Sequence, residues 1–260
     1  MGTLKKNNSN LIAKKVINLE IEALKKLKRS INKNFDQALN AIVNCNSKII
    51  LCGVGKSGLI ASKIASTMSS VGTSAFSLSA NDCLHGDLGS ISKKDLLILI
   101  SNSGKSEELL PIIKFANRNR IKLIGIVSKK DSVLYKASDI KILLPEVKEA
   151  GLGIIPTSST SIQLAIGDAL AIAALNKKQL NKYDFSKLHP GGNLGKQLKT
   201  VEKKKKTKNK IPFIQENKNL KDAIKLITNK KLGVLIAKNN KGKTTGILTD
   251  GNIRKIRHDN

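Results

Sequence analysis

Two short loops of glycine and serine constrain the fold of this chain most, because each lies between an apolar run and a segment with helical spacing. Residues 53–58 read GVGKSG and residues 101–106 read SNSGKS, after apolar runs at 49–52 and 96–100. Such short apolar runs are typical of buried strands. A parallel strand, a turn of small residues and a helix N-terminus together bind anions, because free backbone N–H groups and the helix dipole face the ligand. The serine hydroxyls favour a small phosphorylated ligand.

The standard nucleotide-binding motifs fit the first loop poorly. A Walker loop needs glycine five residues before Gly55, where this chain has Ile50. The Rossmann pattern G-x-G-x-x-G does match Gly53, Gly55 and Gly58. However, residues 70–79 contain no Asp or Glu to bind a ribose. Dinucleotide binding is therefore the weaker interpretation.

Composition narrows the class of protein. The chain has 260 residues, 40% of them hydrophobic and 3% aromatic, which suits a large α/β domain with a small second one. The first residues lack the apolar core of a signal peptide, and no apolar run approaches the roughly twenty residues of a membrane span. Cys45, Cys52 and Cys83 form no C-x-x-C pair. We therefore expect a cytoplasmic protein with reduced thiols and no membrane partner.

The net charge of +28 invites a nucleic-acid interpretation. Arginine, which contacts phosphate and base edges bidentately, occurs only five times, and aromatic residues for base stacking are rare. Abundant Lys, Asn and Ile with little Arg is more typical of lysine accumulation on solvated faces. We therefore expect no nucleic-acid partner, although the charge helps to attract anionic substrates.

The order of elements predicts a doubly wound α/β domain with a mostly parallel sheet. Apolar residues recur at helical spacing over 11–45, which indicates one or two amphipathic helices. Strands are predicted over 48–52, 74–78, 96–100, 122–127 and 140–144. Helices are predicted over 59–71, 106–119, 132–137 and 157–176, with a short helical turn opened by His85. Both loops then fall at the carboxyl ends of strands, where such sheets bind ligands.

The composition changes after residue 198. Residues 199–210 form a lysine-rich linker that is too polar to pack. Residues 211–260 read as a small β-α-β-β-α-like unit, with helices over 220–227 and from 251, and strands over 233–237 and 245–248. About fifty residues are marginal for independent folding.

Seven short motifs resemble those of the D-arabinose 5-phosphate isomerases, a family that joins a sugar isomerase (SIS) domain to CBS repeats. They are GVGKSG at 53–58, VGT at 71–73, HGDLG at 85–89, SNSG at 101–104, PTSST at 156–160, GDAL at 167–170 and LHPGGNLG at 188–195. The resemblance covers about 11–198. Residues 246–254, GILTDGNIR, resemble the end of a CBS repeat. Family members usually carry two repeats, so we expect 211–260 to be a single, truncated CBS-like unit.

The resemblance implies an aldose–ketose isomerase that interconverts D-ribulose 5-phosphate and D-arabinose 5-phosphate through an enediol and supplies Kdo for lipopolysaccharide synthesis. It also implies a homotetramer. The alternative is a non-catalytic sugar-phosphate sensor. Such regulators carry a helix-turn-helix segment of about seventy residues before the sugar domain, whereas only about forty-five residues precede the first predicted strand here.

The family's catalytically important positions fall on Lys56, Glu108, Glu149 and His189. A carboxylate with a raised pKa and a nearby histidine suit the two proton transfers of an enediol mechanism. Glu149 is the expected base, with Asp82 and Glu108 as alternatives, and His189 is expected to act across a subunit boundary. A purely structural interpretation of Glu108 is that its negative charge stabilises the N-terminal end of a helix dipole.

The motifs also imply a set of substrate-binding residues: Gly55, Ser57, Gly72, Thr73, His85, Ser101, Ser103 and Ser106. Ser79 stands where family members often carry a zinc-binding histidine. Cys83 and His85 alone are too few for a metal site. We therefore expect neither a metal nor another cofactor.

Overall fold

The computed structural model describes residues 9–181, 184–185, 188–189 and 211–258. The chain divides into two compact units, residues 1–198 and 199–260. In the first unit, all five strands are parallel and pair in the order β2-β1-β3-β4-β5. These strands are β1 (Ile49–Gly53), β2 (Ala75–Ser79), β3 (Leu96–Ile100), β4 (Lys122–Val127) and β5 (Ile140–Leu143). The predicted doubly wound parallel sheet is confirmed.

Helices cover both faces of this sheet, which explains why its strands are apolar throughout. The helices are α1 (Ser9–Ser30), α2 (Lys33–Val43), α3 (Lys56–Ser70), α4 (Ala80–Cys83), α5 (Leu110–Asn119), α6 (Val133–Ala137) and α7 (Ser158–Lys177). Ile49 and Leu51 of β1 pack into one hydrophobic cluster with α1, α2, α3 and α7. Ile50 and Cys52 point to the other face and pack with α4, α5 and α6.

The structure decides one prediction that the sequence left open and differs from two others. The segment 11–45 forms two helices, since Asn32 caps α2 by accepting a hydrogen bond from the Asn34 N–H (2.9 Å). The predicted helix from residue 106 begins as a 3₁₀ turn (Glu107–Leu109), and α5 follows with a proline in its first turn. Helical turns lie on both sides of His85 instead of starting there: α4 precedes it, and a 3₁₀ turn (Asp87–Ser90) follows it.

An 18-residue window of helix α7 is long and apolar enough, by composition, to cross a membrane. Half of that window is buried inside the protein, and α7 packs against α1, α2 and α3. A long apolar helix with this many protein contacts is the core helix of a globular domain. It places its N-terminus beside the loops that carry the site.

The second unit consists of β6 (Phe213–Gln215), α8 (Leu220–Lys230), β7 (Val234–Lys238), β8 (Thr244–Thr249) and α9 (Asp250–His258). Its three-stranded sheet has the order β6-β7-β8, parallel between β6 and β7 and antiparallel between β7 and β8. Ala223, Ile227, Leu235 and Ile253 form its small core. The predicted linker at 199–210 lies outside the described residues.

Candidate functional site

The two glycine–serine loops flank the topological switch point of the parallel sheet. From β1 the chain turns to β2 on one side and then returns to β3 on the other, so β1 and β3 are neighbours. We call the side where the strands end (Gly53, Ser79, Ile100, Val127, Leu143) the carboxyl edge, and the side where they begin the amino edge. Ligands of open α/β sheets bind at the carboxyl edge where the strand order reverses.

The first loop is shaped by steric limits on its backbone. A Cβ on Gly53 would lie 2.8 Å from the Ser57 carbonyl, and a Cβ on Gly58 would lie 2.8 Å from the Gly53 carbonyl oxygen. Gly55 has φ +57°, which favours glycine. No side chain caps α3, which begins at Lys56. The G-x-G-x-x-G pattern therefore lets the backbone turn sharply and leaves a helix N-terminus open for an anion.

The second loop is held by serine hydroxyls. Ser101 is buried, and its Oγ accepts from the Gly104 N–H (3.0 Å) and lies 3.1 Å from Ser106 Oγ. Ser103 is exposed and accepts from the Lys105 N–H (3.3 Å). Gly104 has φ +63°, and Ser132 fills the space beneath it. The loop therefore gathers three hydroxyls around one turn, as a small anion requires.

Lys56 and Ser57 are the two polar side chains of the first loop. Lys56 is exposed, and none of the ion pairs between described residues involves it. Ser57 is half-buried, and its hydroxyl donates to Gln163 Oε1 (3.1 Å). Lys56 is therefore available to an anionic ligand at the switch point, whereas Ser57 is already engaged.

Glu108 directly follows the second loop. It is half-buried in the 3₁₀ turn that leads into α5. Within the described part of the chain, its carboxylate has no hydrogen-bond or ion-pair partner. The structure thus places near the switch point a carboxylate that forms no hydrogen bond or ion pair with other described residues.

Glu149 lies in the connection from β5 to α7, and it caps the α7 N-terminus. Its Oε2 accepts from the Thr157 N–H (2.9 Å), the Thr157 hydroxyl (3.1 Å) and the Ser159 N–H (3.3 Å). Burial raises the pKa of Glu149, but the hydrogen bonds from Ser159 and Thr157 outweigh burial and hold the pKa below its ordinary value of 4.5. These hydrogen bonds stabilise the charged form of Glu149, and its expected role as the base stays a prediction.

His85 and Asp82 follow β2 at the same carboxyl edge, and both are exposed. A cavity of about 290 Å³ lies between the first loop and the end of β2, and its lining includes Gly55, Ser79 and Asn81. The serines of the second loop do not line this cavity. Among the described residues, no group of three or more His, Cys, Asp or Glu side chains is placed to hold a metal ion.

Gly72 and Thr73 do not lie with the other predicted substrate-binding residues. They form the turn from α3 into β2 and so lie at the amino edge, a full strand length from the loops. Thr73 is buried, and its hydroxyl accepts from Lys178 Nζ (3.1 Å). Gly72 has φ +85°, and a Cβ there would lie 2.6 Å from Leu180 Cδ1. Within one chain these two residues therefore lie apart from the loops, and their contact with a substrate stays a prediction.

His189 also lies at the amino edge of its own chain. The side chain of Leu188, next to it, approaches Gly72 (3.6 Å from an ideal Cβ there to Leu188 Cδ1). The imidazole stacks on Phe185 with a centroid distance of 3.9 Å, and Nδ1 lies 2.9 Å from the Phe185 carbonyl oxygen. Within one chain, the structure therefore separates His189 from Lys56, Glu108 and Glu149.

Sequence reasoning missed Gln163, which is fully buried in α7 and contacts Ser57. A signal was present: Gln163 is the one amide in the first two turns of an otherwise apolar or small-residue helix. A polar residue on a buried helix face needs a partner, and here that partner belongs to the first loop.

Comparisons with known proteins agree with this architecture. The SIS domain model matches residues 41–173 and the CBS domain model matches residues 207–259. The arabinose 5-phosphate isomerase of Yersinia pestis is 40% identical over 94% of this chain and 75% of its own length. That of Francisella tularensis is 42% identical over 92% of this chain and 74% of its own length.

A solved structure gives the same result in three dimensions. The E. coli CFT073 protein c3406, in complex with arabinose 5-phosphate, superposes with a TM-score of 0.68 and 35% identity, covering 71% of this chain and all of that one. The two isomerases match more than nine-tenths of this chain, a length that spans its SIS and CBS segments. The chain belongs to the arabinose 5-phosphate isomerase family of SIS-domain proteins.

Proposed function

We propose that this chain is an isomerase that interconverts D-ribulose 5-phosphate and D-arabinose 5-phosphate through an enediol. The observation that carries the proposal is the arabinose 5-phosphate complex of a protein with the same fold and 35% identity, together with curated isomerases that match over nearly the whole chain. Residues 11–198 form the isomerase domain, and residues 211–260 form a single CBS-like unit after the linker. The resemblance to the family supports a cytoplasmic role in supplying Kdo for lipopolysaccharide synthesis.

Phosphate binds at the second loop in this proposal. Ser101 and Ser106 share one hydrogen bond between two hydroxyls, so a hydroxyl proton remains for a phosphate oxygen. Exposed Ser103 adds a third hydroxyl at the same turn. Lys56 at the uncapped α3 N-terminus supplies positive charge across the switch point, where it stabilises the negative oxygen of the enediolate.

The reaction moves one proton between neighbouring carbons. A base removes a proton from C1 of the ketose while the carbonyl oxygen on C2 gains one, which gives the enediol. The hydroxyl proton on O1 then leaves, and C2 receives a proton to give the aldose. Glu108 is the base that the geometry supports best, because its carboxylate is uncommitted, whereas Glu149 is held by three hydrogen bonds and has a lowered pKa.

Glu149 and His189 have other parts in this scheme. Glu149 caps α7 and thereby holds the helix that meets the first loop. His189 carries protons between the two substrate oxygens in the site of a second copy, because its own chain places it at the amino edge. Exposed apolar side chains on α1 support an oligomer, which we propose to be a homotetramer: Leu11, Ile12, Ile17, Ile21 and Leu24 are 40% to 56% exposed.

The test is proton exchange at the reacting carbon. Purified protein is incubated with D-ribulose 5-phosphate, and separately with other ketose phosphates, in D2O while the C2 proton of the aldose is followed by NMR. We expect deuterium at C2 with D-ribulose 5-phosphate only. Correctly folded protein that exchanges with none of these substrates would refute the proposed activity.

The same assay identifies the base. Glu108→Gln is expected to lower exchange by roughly 10²- to 10⁴-fold. Glu149→Gln should lose less, with part of the loss explained by a shifted melting temperature. Asp82→Asn tests the third candidate, at an exposed position near the β2 end: it should keep exchange, and a loss in this variant alone would assign the base to Asp82. Full exchange in Glu108→Gln with none in Glu149→Gln would return the role of base to Glu149.

A further inference from the structure

The side-chain amide of Gln163 is buried, and only its oxygen has a hydrogen-bond partner among the described residues. Its relative exposure is 0%, its Oε1 accepts from the Ser57 hydroxyl (3.1 Å), and Nε2 has no partner among the described residues. Burying an amide with unpaired N–H groups is unfavourable. Stability therefore does not explain why this position of an apolar helix carries glutamine.

The contact between Gln163 and Ser57 is held rigidly by the two helices. One turn after Gln163, Gly167 has no room for a side chain, because a Cβ there would lie 2.2 Å from Ile64 Cδ1. Lys63 Nζ of α3 pairs with both carboxylate oxygens of Asp168 at 2.6 and 2.7 Å. Close packing and an ion pair thus fix α3 against α7, so the Ser57–Gln163 geometry exists before any ligand arrives.

We propose that Gln163 is a positioning residue that commits the Ser57 hydroxyl proton, so that Ser57 accepts a hydrogen bond from a sugar hydroxyl of the substrate and does not donate to its phosphate. This inference rests on the proposed function, because it assumes a sugar phosphate at the switch point. In this proposal the two loops have different ligands: the second loop binds the phosphate, and the first loop binds a hydroxyl of the sugar.

The donors and acceptors that remain free on the two loops support these different ligands. A phosphate dianion only accepts hydrogen bonds, and Ser57 Oγ has no proton left to give once Gln163 Oε1 takes it. A sugar hydroxyl can donate to the free lone pairs of Ser57. In the second loop the situation is reversed, because Ser101 Oγ accepts from the Gly104 N–H and keeps proton-donating capacity with Ser106.

Binding titrations test the inference without requiring turnover. The dissociation constants of D-arabinose 5-phosphate and of inorganic phosphate are measured for the wild type, Gln163→Met, Ser57→Ala and the double variant. We expect each single variant to weaken sugar phosphate binding about three- to tenfold and to leave phosphate binding unchanged. The double variant should match Ser57→Ala, because Gln163 acts only through Ser57.

Ser158→Ala is the matched control. Ser158 is equally buried at the start of α7, and its hydroxyl has no hydrogen-bond partner among the described residues, so no hydrogen bond from its hydroxyl reaches the first loop. It should change neither affinity, and the melting temperature of Gln163→Met should stay level or rise.

Three results would overturn the inference: weaker phosphate binding in Ser57→Ala, additive effects in the double variant, or a lower melting temperature in Gln163→Met with unchanged affinities. Wild-type protein that binds the sugar phosphate without isomerising it would refute the proposed function alone, since the four affinities still decide the role of Gln163.

Discussion

The two edges of the five-stranded sheet divide the proposed catalytic residues between them. The carboxyl edge holds Lys56, Glu108 and Glu149 with both glycine–serine loops, whereas the amino edge holds His189. The amino edge also has the larger cavity, about 1000 Å³ against about 290 Å³ beside the first loop. Cavity size is therefore a poor guide here, since strand direction and loop chemistry both favour the carboxyl edge. One copy of the chain supplies only part of the proposed active site.

Mixing inactive variants tests this separation most directly. Lys56→Ala and His189→Ala should each lose roughly 10²- to 10⁴-fold in isomerase activity. After unfolding and refolding together, they should recover roughly a quarter of wild-type activity, because random assembly gives that share of sites an intact residue from each copy. The measurement is the isomerase rate, with light scattering to establish that oligomers form.

The double variant Lys56→Ala/His189→Ala, mixed with wild type, is the control for dilution. A mixture of the two single variants that stays at the parental rates, in oligomers of normal size, would place both residues in one site of a single chain.

Gly53→Ala tests the steric design of the carboxyl edge. A Cβ there would lie 2.8 Å from the Ser57 carbonyl and 2.9 Å from the Gly58 nitrogen, and backbone atoms cannot move aside cheaply. We expect kcat/KM to fall on the order of 100-fold, because the loop that presents Lys56 must shift. Steady-state kinetics and a thermal melt measure the two effects.

Gly246→Ala is the matched glycine control, since its Cβ would meet nothing within 4 Å. It should leave kcat/KM unchanged. Near wild-type kinetics in Gly53→Ala would mean that the first loop tolerates rearrangement and does not set the site geometry.

The contrast between the edges also shows what the sequence can predict. Apolar runs and loop spacing predicted every strand of the first unit to within a residue or two, because buried parallel strands leave a strong signal. The order of the elements also predicted that both glycine–serine loops follow strands at the carboxyl edge, as they do. Gly72 and Thr73 precede β2 and lie at the other edge of the same chain, which the motif alone does not reveal, because a motif records residue types and not the direction of the strand that follows.

The sequence also did not predict which polar side chains already form hydrogen bonds within the protein. The hydrogen bonds that cap α7 with Glu149 join residues eight and ten positions apart through a turn that no spacing rule predicts. The Ser57–Gln163 contact joins residues 106 positions apart. Such contacts decide whether a carboxylate or hydroxyl is free to bind or react with a substrate. The role of each residue in the site can therefore be proposed only once the structure is known.

Asp95→Asn should change stability at the amino edge without changing catalysis. Asp95 is 2% exposed and accepts from the Ser47 hydroxyl (2.6 Å), the Ser92 N–H (2.7 Å) and the Lys48 N–H (3.2 Å). An amide retains one acceptor oxygen but turns an NH₂ group toward donors. We expect the free energy of unfolding to fall by about 1–3 kcal/mol, measured by urea denaturation, with kcat/KM kept. A matching loss in kcat/KM of folded protein would link the amino edge to the chemistry of its own chain.

Glu149→Gln should have the smallest effect, and the effect should appear in the free energy of unfolding at acidic pH. The folded pKa of Glu149 lies below its ordinary value of 4.5, because hydrogen bonds from Ser159 and Thr157 outweigh its burial. A lowered folded pKa contributes stability that is present above the unfolded pKa and is lost as pH falls through the folded pKa. The wild type should therefore lose stability below about pH 4.5 more steeply than Glu149→Gln, by up to about 1 kcal/mol, since partial exposure screens the interaction. Urea melts between pH 3 and 7 measure this difference. Parallel pH profiles would show that the Glu149 charge does not stabilise the α7 N-terminus, and Glu149 would then be free to act as the base.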